Sequence, residues 1–411
     1  MSIDTDTAII GGGASGYAAA IEHKRVYPEA QLVIAERLDK TGRKLLATGN
    51  GRCNLSNRNL TYSSYHGSVN AMKIIERTPG AEEFFESLGV LCTTDREGRI
   101  YPYSRNSSSI LNALRLKASD LGVYEECGFN ADKIEKDGKL YIIHSGSSII
   151  RCKHIIVAAG GYAAPLFGTD GSIIRLFRNM GYKTAKISPA VAPVKVSSEK
   201  LKGLKGVRVK GKVSAVSEGK VLRSEEGEIQ FTDNFLSGIC IFNLAYLVPE
   251  YENKLSIKID LMPEMTFEKL VGLLFSIQSQ RYTYSIDNFL SGIFVKNLAV
   301  YIMKHSLNRA LNERILTLKY KEICAIASFI KSIKFDVIGL SPWQNAQVTS
   351  GGIHGSCVNE KLESKLHKGI YFSGEVLDCH GDCGGYNLQW AWSSGIWSGR
   401  HCANSLKNYK M

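Results

Sequence analysis

The chain has 411 residues, 44% of them hydrophobic and 22% charged, the composition of a globular protein with room for two or three domains and a sizeable core. Its longest mainly apolar run, Ile239 to Val248, is ten residues long and contains Asn243, which excludes a bilayer-spanning helix there. Lys and Arg number 51 against 39 Asp and Glu, for a net charge of +12. That excess is diffuse and carries no nucleic-acid motif, so no nucleic-acid partner is expected.

In chain order, the polar start Met1–Asp6 lacks the basic residues and apolar stretch of a signal peptide, and a soluble, cytoplasmic protein is expected. The run Ala8-Ile9-Ile10 reads as a buried parallel strand. It leads into Gly11-Gly12-Gly13-Ala14-Ser15-Gly16, and a helix is expected from Ala14 to Tyr27, stopped by Pro28. A second apolar run, Leu32 to Ala35, ends at Glu36, 20 residues after Gly16. Strand, G-x-G-x-x-G turn, helix, strand and acid together form the dinucleotide fingerprint. Gly11 permits the tight turn, Gly13 lets backbone approach a pyrophosphate, and Gly16 lets the helix pack on the strand. The helix N-terminus offers N–H groups to the phosphates. Glu36 can accept from ribose hydroxyls and would repel a 2′-phosphate. The motif alone does not separate FAD from NAD.

Beyond Glu36, Arg37 and Lys44 lead into Gly51-Arg52-Cys53-Asn54, within a loop dense in glycine and cations suited to a polyanionic, polyhydroxylated ligand. Residues 67 to 122 read as mostly helical, with Ala81–Leu88 and Ser107–Leu121 as helices and Gly98–Tyr103 as a turn and short extended piece. Tyr141–His144 and Ser148–Ile150 read as a hairpin around Gly146. His154–Val157 reads as a buried strand running into Ala158-Ala159-Gly160-Gly161, the form a strand takes where its carboxyl end meets a ligand.

From Pro189 to about 263 apolar and polar residues alternate, as in Val207–Val213, which predicts short antiparallel strands and a barrel. A helical stretch follows to about Lys331, and nucleotide-fold character returns after Pro342. The densest basic stretch, Lys195–Lys212, reads as a solvated face whose field also favours an anionic cofactor or substrate. Asp-Asn-Phe-Leu-Ser-Gly-Ile occurs at 233–239 and again at 287–293, without the sustained period of a structural repeat.

Near the carboxyl end, Thr349-Ser350-Gly351-Gly352 forms a turn. Gly369–Asp378 reads as a strand ending in Gly374, Glu375 and Asp378, with Asp378 suited to ribityl hydroxyls. Gly384-Gly385-Tyr386-Asn387-Leu388 opens a last helix, expected over Trp390–Ala403, whose N-terminus can face a flavin ring. Ten cysteines and no paired C-x-x-C sets indicate free thiols rather than structural zinc. Cys379 and Cys383 are read as two thiols packed near the cofactor, the alternatives being a redox disulfide or a metal site.

These motifs together resemble the bacterial BaiN/RdsA-type NAD(P)/FAD-dependent oxidoreductases, also described as aminoacetone oxidase family FAD-binding enzymes. The resemblance covers essentially the whole chain. It implies an α/β, Rossmann-like FAD-binding domain of the glutathione reductase superfamily with a β-barrel-like insert and a small helical insert. The boundaries it suggests are 1–188 with 346–411 for the FAD domain, 189–265 with 333–345 for the barrel, and 266–332 for the helices. FAD is expected to be non-covalent. NAD(P)H enters only as a transient reductant, since one complete fingerprint is present rather than two. The family often carries Phe-Thr-His-x-Gly-Leu-Ser-Gly-Pro in the barrel. Here Asp233, Phe235 and Ile239 depart from it, so no role of that histidine carries over. The function implied is hydride transfer between FAD and a small organic substrate. It is either oxidation of an aminoacetone-like amine or reduction of an unsaturated carbonyl or steroid-like substrate. A non-catalytic flavin-binding protein and an RNA-binding flavoprotein are the alternatives of other classes. The inserts are expected to choose the substrate, with Tyr246, Tyr282 and Trp343 available to line an apolar pocket.

Overall fold

In the computed structural model the chain forms two compact units, Met1–Ala190 with Trp343–Met411, and Val191–Pro342. The structure describes residues 1–251 and 254–410.

The first unit is organised by a five-stranded sheet. Its principal elements are, in chain order, β1 (Thr7–Ile10), α1 (Ala14–Val26), β2 (Leu32–Glu36), α2 (Ser107–Asp120), β3 (Tyr124–Cys127), β4 (His154–Val157), β5 (Ile370–Phe372) and α3 (Tyr386–Lys410). The strand order is β5-β4-β1-β2-β3, with every pairing parallel. β1 and β4 are buried at every residue, as a parallel sheet covered on both faces requires. The pleat divides the side chains between two cores. Ile9, Ile34, Ile156 and Tyr371 join Tyr17, Leu111 and Trp392 on one face. Ile10, Val33, Val157 and Phe372 join Phe177, Tyr182 and Trp390 on the other. The expected hairpin is present, Leu140–Ser145 against Ser148–Cys152, within a separate four-stranded sheet.

α1 and α3 pack backbone to backbone. A Cβ on Gly395 would stand 2.4 Å from the Ser15 carbonyl oxygen, and one on Gly399 2.3 Å from that of Ala19. Two elements differ from the sequence reading. The strand expected over Gly369–Asp378 is only three residues long and gives way to a 3₁₀ turn, Gly374–Val376. α3 starts at Tyr386, inside the Gly384–Asn387 stretch expected to hold its N-terminus, but runs on to Lys410 rather than ending at Ala403.

In the second unit six antiparallel strands close a barrel in the order Val194–Val196, Phe235–Ser237, Lys220–Phe231, Arg208–Ser217, Leu255–Asp260 and Ile333–Leu340. Val213, Ile229, Phe231, Ile257 and Phe335 fill it, all fully buried. Three helices, Phe267–Gln280, Lys296–Ser306 and Tyr320–Lys331, belong to the same compact unit. The basic stretch is matched by carboxylates across the long hairpin. Lys210 lies opposite Glu228 and Lys212 opposite Glu226. Lys205 pairs with Asp233 at 2.7 Å and Lys200 with Asp336 at 3.0 Å. The repeated heptapeptide forms a strand, Phe235–Ser237, at its first occurrence and a 3₁₀ turn, Ile286–Asn288, at its second.

Candidate cofactor site

β1 ends at Ile10, and the chain turns over Gly11-Gly12-Gly13 into α1. A Cβ on Gly16 would stand 2.0 Å from the Gly11 carbonyl oxygen, so only glycine allows the helix this close to the turn. At Gly13 a Cβ would meet nothing within 4 Å, and the turn is open on that side. α1 begins with no side-chain cap and no acidic residue in its first turn, which leaves the positive end of its dipole to an external anion.

Glu36 braces this turn. Its Oε2 accepts from the Gly12 N–H and its Oε1 from the Leu38 N–H, each at 2.9 Å. A carboxylate has about four acceptor positions, so capacity for ribose hydroxyls remains. A polar floor lies beneath the loop. The Gly42 N–H donates to the Gly12 carbonyl at 2.8 Å, and Arg115 donates to the Thr41 carbonyl at 2.7 Å. The buried Tyr17 hydroxyl lies 2.7 Å from Thr41 Oγ1 and donates to Glu125 at 2.5 Å. Burial and that carboxylate raise the Tyr17 pKa. Arg37 forms an ion pair with Asp170 at 2.6 Å. Burial alone would raise Asp170, but hydrogen bonds from Arg37 and Ser172 outweigh it and bring the carboxyl to about 2.

The distant motifs meet at the carboxyl ends of the strands. Gly374 comes so close to α1 that a Cβ on it would stand 2.6 Å from Ser15 Oγ. Lys44 pairs with Glu375 at 2.8 Å, and Glu375 Oε1 accepts from the Thr349 N–H at 2.9 Å. Thr349 Oγ1 accepts from the N–H groups of Tyr162 and Ala163, beside Gly161. Ala159 and Gly160 continue directly from β4, with Gly160 beside Thr169. Gly351 and Gly352 pass against the carbonyls of Lys186 and Val376.

At the other end of this cluster Gly385 lies against the loop that contains Cys53 and Asn54. A Cβ on Gly385 would stand 2.2 Å from the Ser56 carbonyl and 2.8 Å from Asn54 Oδ1. Asn387 closes the preceding turn, donating to the Gly381 carbonyl and accepting from the Gly381 N–H, both at 2.8 Å. Leu388 packs against the core that contains Trp392. Cys53 is fully buried, and burial pushes its thiol up to about 12. Gly51 adopts a positive φ, and Arg52 points outward, 5.5 Å from the Tyr101 ring. Asp378 Oδ2 accepts from both the N–H and the hydroxyl of Ser68, at 2.9 and 2.6 Å. Tyr386 offers its backbone carbonyl to the Tyr65 hydroxyl at 3.0 Å.

One buried polar atom tests the fit of a flavin. Asn54 is 9% exposed, and its Oδ1 has no hydrogen-bond partner among the described residues. A buried acceptor without a donor is costly, and an imide N–H such as a flavin carries is a donor of the missing kind. The open side of the Gly13 turn and two helix N-termini complete a set of residues that fits a flavin dinucleotide.

Sequence reasoning missed His66, Ser68 and Asp382, which come to the site through pairing of two three-residue strands, Tyr65–Gly67 and Cys379–Gly381. Such strands are too short for periodicity to show. All ten cysteines are free, and burial raises the Cys383 thiol to about 11. Among the described residues no group of three or more His, Cys, Asp or Glu could hold a metal ion, and no helix is long and apolar enough to cross a membrane. Of the aromatics proposed for the insert, Trp343 belongs to the first unit and stacks near Tyr162 at 5.4 Å. Tyr246 lies under Arg223, and Tyr282 is exposed.

Residues 5–401 match the family described as HI0933-like protein Rossmann domain. The chain belongs to this family. It is 35% identical over 404 residues to a 3-dehydro-bile acid delta(4,6)-reductase of Clostridium scindens, covering 96% of this chain and 98% of that one. It is 25% identical over 413 residues to a ribosomal RNA dihydrouridine synthase of Haemophilus influenzae, covering 96% and 97%. The fold is shared with a 3-ketosteroid delta1-dehydrogenase of Sterolibacterium denitrificans, at a TM-score of 0.51 and 11% identity, over 98% of this chain and 100% of that one. Members of the family are flavin-dependent oxidoreductases, and this chain is a flavoprotein enzyme of that class.

Proposed function

We propose that the protein binds FAD non-covalently and saturates a carbon–carbon double bond conjugated to a carbonyl in a small, apolar, steroid-like substrate. The observation that supports this most is the end-to-end 35% identity with the delta(4,6)-reductase, with the cradle motifs present and converging. The name of the second relative denotes the same chemistry on another substrate, because forming dihydrouridine saturates a double bond conjugated to a carbonyl.

Glu36 would hold the adenosine ribose, the N-terminus of α1 the pyrophosphate, Asp378 the ribityl chain, and Asn54 with the N-terminus of α3 the ring. The flavin, when bound, supplies the hydride chemistry. The protein's part is to orient the substrate and manage its proton. NAD(P)H serves as a transient electron source. A small-molecule substrate is favoured over RNA because the barrel's densest basic stretch is paired with carboxylates.

The test starts from the visible spectrum of the purified protein, which should be that of an oxidised flavin, and Glu36→Ala should lower the flavin content. After anaerobic reduction, a 4-ene-3-keto steroid should restore the oxidised spectrum. Bleaching of the oxidised enzyme by aminoacetone, with no reoxidation by the enone, would return the assignment to an amine oxidase. Reoxidation by uridine-containing RNA, with salt-dependent retention of that RNA, would move it to nucleic acid.

A further inference from the structure

Two arginines of the first unit share one aromatic ring and have no carboxylate to answer them. Arg52 and Arg105 both lie over the ring of Tyr101, each guanidinium carbon 5.5 Å from its centroid, so at most twice that distance separates the two charges. The ring is 3% exposed, whereas both arginines are exposed. Among the described residues neither arginine forms an ion pair. Two other arginines of this region do, Arg58 with Glu82 at 2.7 Å and Arg99 with Asp95 at 2.7 Å and Glu97 at 2.8 Å. Stacking on a ring holds a guanidinium plane and spares its N–H groups for an acceptor.

The backbone keeps both side chains in place. Asn50 and Cys53, on the two sides of Arg52, have φ of +54° and +56°, and Arg105 has +49°. Each is a costly conformation for a residue with a side chain, and such strain gathers at ligand clamps. The Arg105 N–H donates to the Pro102 carbonyl at 2.8 Å, and Arg52 Nε donates to the Gly49 carbonyl at 3.3 Å. Ser107 Oγ donates to the Leu46 carbonyl at 2.8 Å, which ties the start of α2, next to Arg105, to the segment leading into Arg52. The first turn of α2 holds no acidic residue, so its positive end adds to the same field.

An open groove continues from the Pro102–Arg105 turn along α2, lined by Val90, Leu91, Tyr103, Ser109, Asn112 and Leu116. Leu91, Tyr103 and Leu116 are 63%, 70% and 66% exposed, and bare apolar surface gathered in one groove marks a binding surface. The Tyr103 N–H donates to the Leu91 carbonyl at 2.8 Å, which fixes two of these side chains side by side. A ligand that answers both parts has a flat ring system at one end and phosphates at the other.

We propose that the groove and the arginine pair bind the adenosine diphosphate half of the nicotinamide electron donor, at a place distinct from the glycine turn that takes the flavin's own diphosphate. The proposal rests on the reading that a reduced nicotinamide dinucleotide supplies the electrons. Tyr103 stacks on the adenine, and Arg52 and Arg105 bridge the diphosphate. One pair of unpaired guanidiniums matches one diphosphate, whereas an RNA strand needs a track of cations. The site gives a chain with one dinucleotide fingerprint a place for a second dinucleotide.

The experiment is calorimetric titration of the flavin-loaded full chain with ADP. One site per chain is expected, with the flavin spectrum unchanged and no flavin released on filtration. Arg52→Gln, Arg105→Gln and Tyr103→Ala should each weaken ADP about tenfold. An unchanged far-ultraviolet circular dichroism spectrum shows that each variant folds. In anaerobic flavin reduction, the apparent dissociation constant of NADH or NADPH should rise about tenfold in Arg105→Gln, with the limiting rate within about twofold of the parent. ADP affinity within about twofold of the parent in all three variants, or ADP binding only as flavin leaves, would overturn the proposal and leave the donor reading intact. Oligouridylate that binds more tightly than ADP and is lost in the same variants would give the surface to RNA and overturn it too. A parent whose flavin is reduced by neither NADH nor NADPH would overturn the donor reading beneath it.

Discussion

The two units place their polar groups in opposite ways. In the first, carboxylates and amides lie inside the fold and hold turns: Glu36 on Gly12, Glu375 on Thr349, Asp378 on Ser68 and Asn387 on Gly381. In the barrel unit, apolar side chains fill the interior and many charges pair on the outside, as in Lys254–Glu218, where both partners are 71% exposed. An interior network can fix atoms in place for a ligand, whereas an exposed pair contributes little and moves freely. Chemistry is therefore expected in the first unit, and substitutions of the same kind should have unequal effects in the two.

The largest expected difference is between two glycines. Gly16→Ala would put a methyl 2.0 Å from the Gly11 carbonyl oxygen. It should abolish flavin retention and cost roughly 3 kcal/mol or more. Gly219→Ala in the barrel hairpin meets no neighbour and suffers only from its φ of +83°. It should cost about 1 kcal/mol, with flavin content unchanged. Equal flavin loss in both variants would erase the contrast.

Acid should separate the units next. His23 and His380 are lowered to about 3 and His154 to about 4, each first by burial, and all three lie in the first unit. For a histidine lowered on folding, the unfolded chain binds the extra proton. Stability is then complete above the unfolded value of about 6.5 and falls as the pH drops toward the folded value. Each ring should cost about 2 kcal/mol at pH 5 relative to neutrality. All four tryptophans, Trp343, Trp390, Trp392 and Trp397, also belong to the first unit. Urea unfolding followed by indole fluorescence at pH 7 and pH 5 reads this directly, and His23→Gln should flatten the dependence.

Two ion pairs give the smallest contrast. Lys44→Met breaks a half-buried pair beside Thr349 and should weaken flavin affinity about tenfold, measured by equilibrium dialysis. Lys254→Met breaks an exposed pair and should change stability by less than about 0.5 kcal/mol. A larger effect at Lys254 than at Lys44 would reverse the ranking of the two regions.

Much of this architecture could be read from the chain because its cues are local. The turn of Gly11 to Gly16, Glu36 at a strand end and Gly384-Gly385 before a helix are each set by a few consecutive residues. The barrel announced itself by alternation. Its closure did not, because closure depends on pairing Val194–Val196 with Ile333–Leu340, segments without a shared pattern. Asp378 looked like a plain ribityl ligand because nothing nearby indicates that Ser68 would reach it from 310 residues away. His66 stood in an unremarkable loop until its strand found Cys379–Gly381. Tyr17 looked like one more residue of a small-residue helix, yet it anchors the floor beneath the Gly11–Gly16 turn through Glu125.

The contact between α1 and α3 has a consequence for the order of synthesis. α1 is synthesised before the barrel unit, and Gly395 and Gly399, which cover its Ser15 and Ala19 backbone, only after it. At about 5–20 residues per second, some 20 to 80 seconds of translation separate the two. Throughout that interval the alanine face of α1 lacks its partner helix, and the entire barrel unit is made in between. A nascent chain stalled before Gly395 should therefore present α1 to chaperones and proteases, and the closing helix acts as the checkpoint at which the first unit becomes resistant to both.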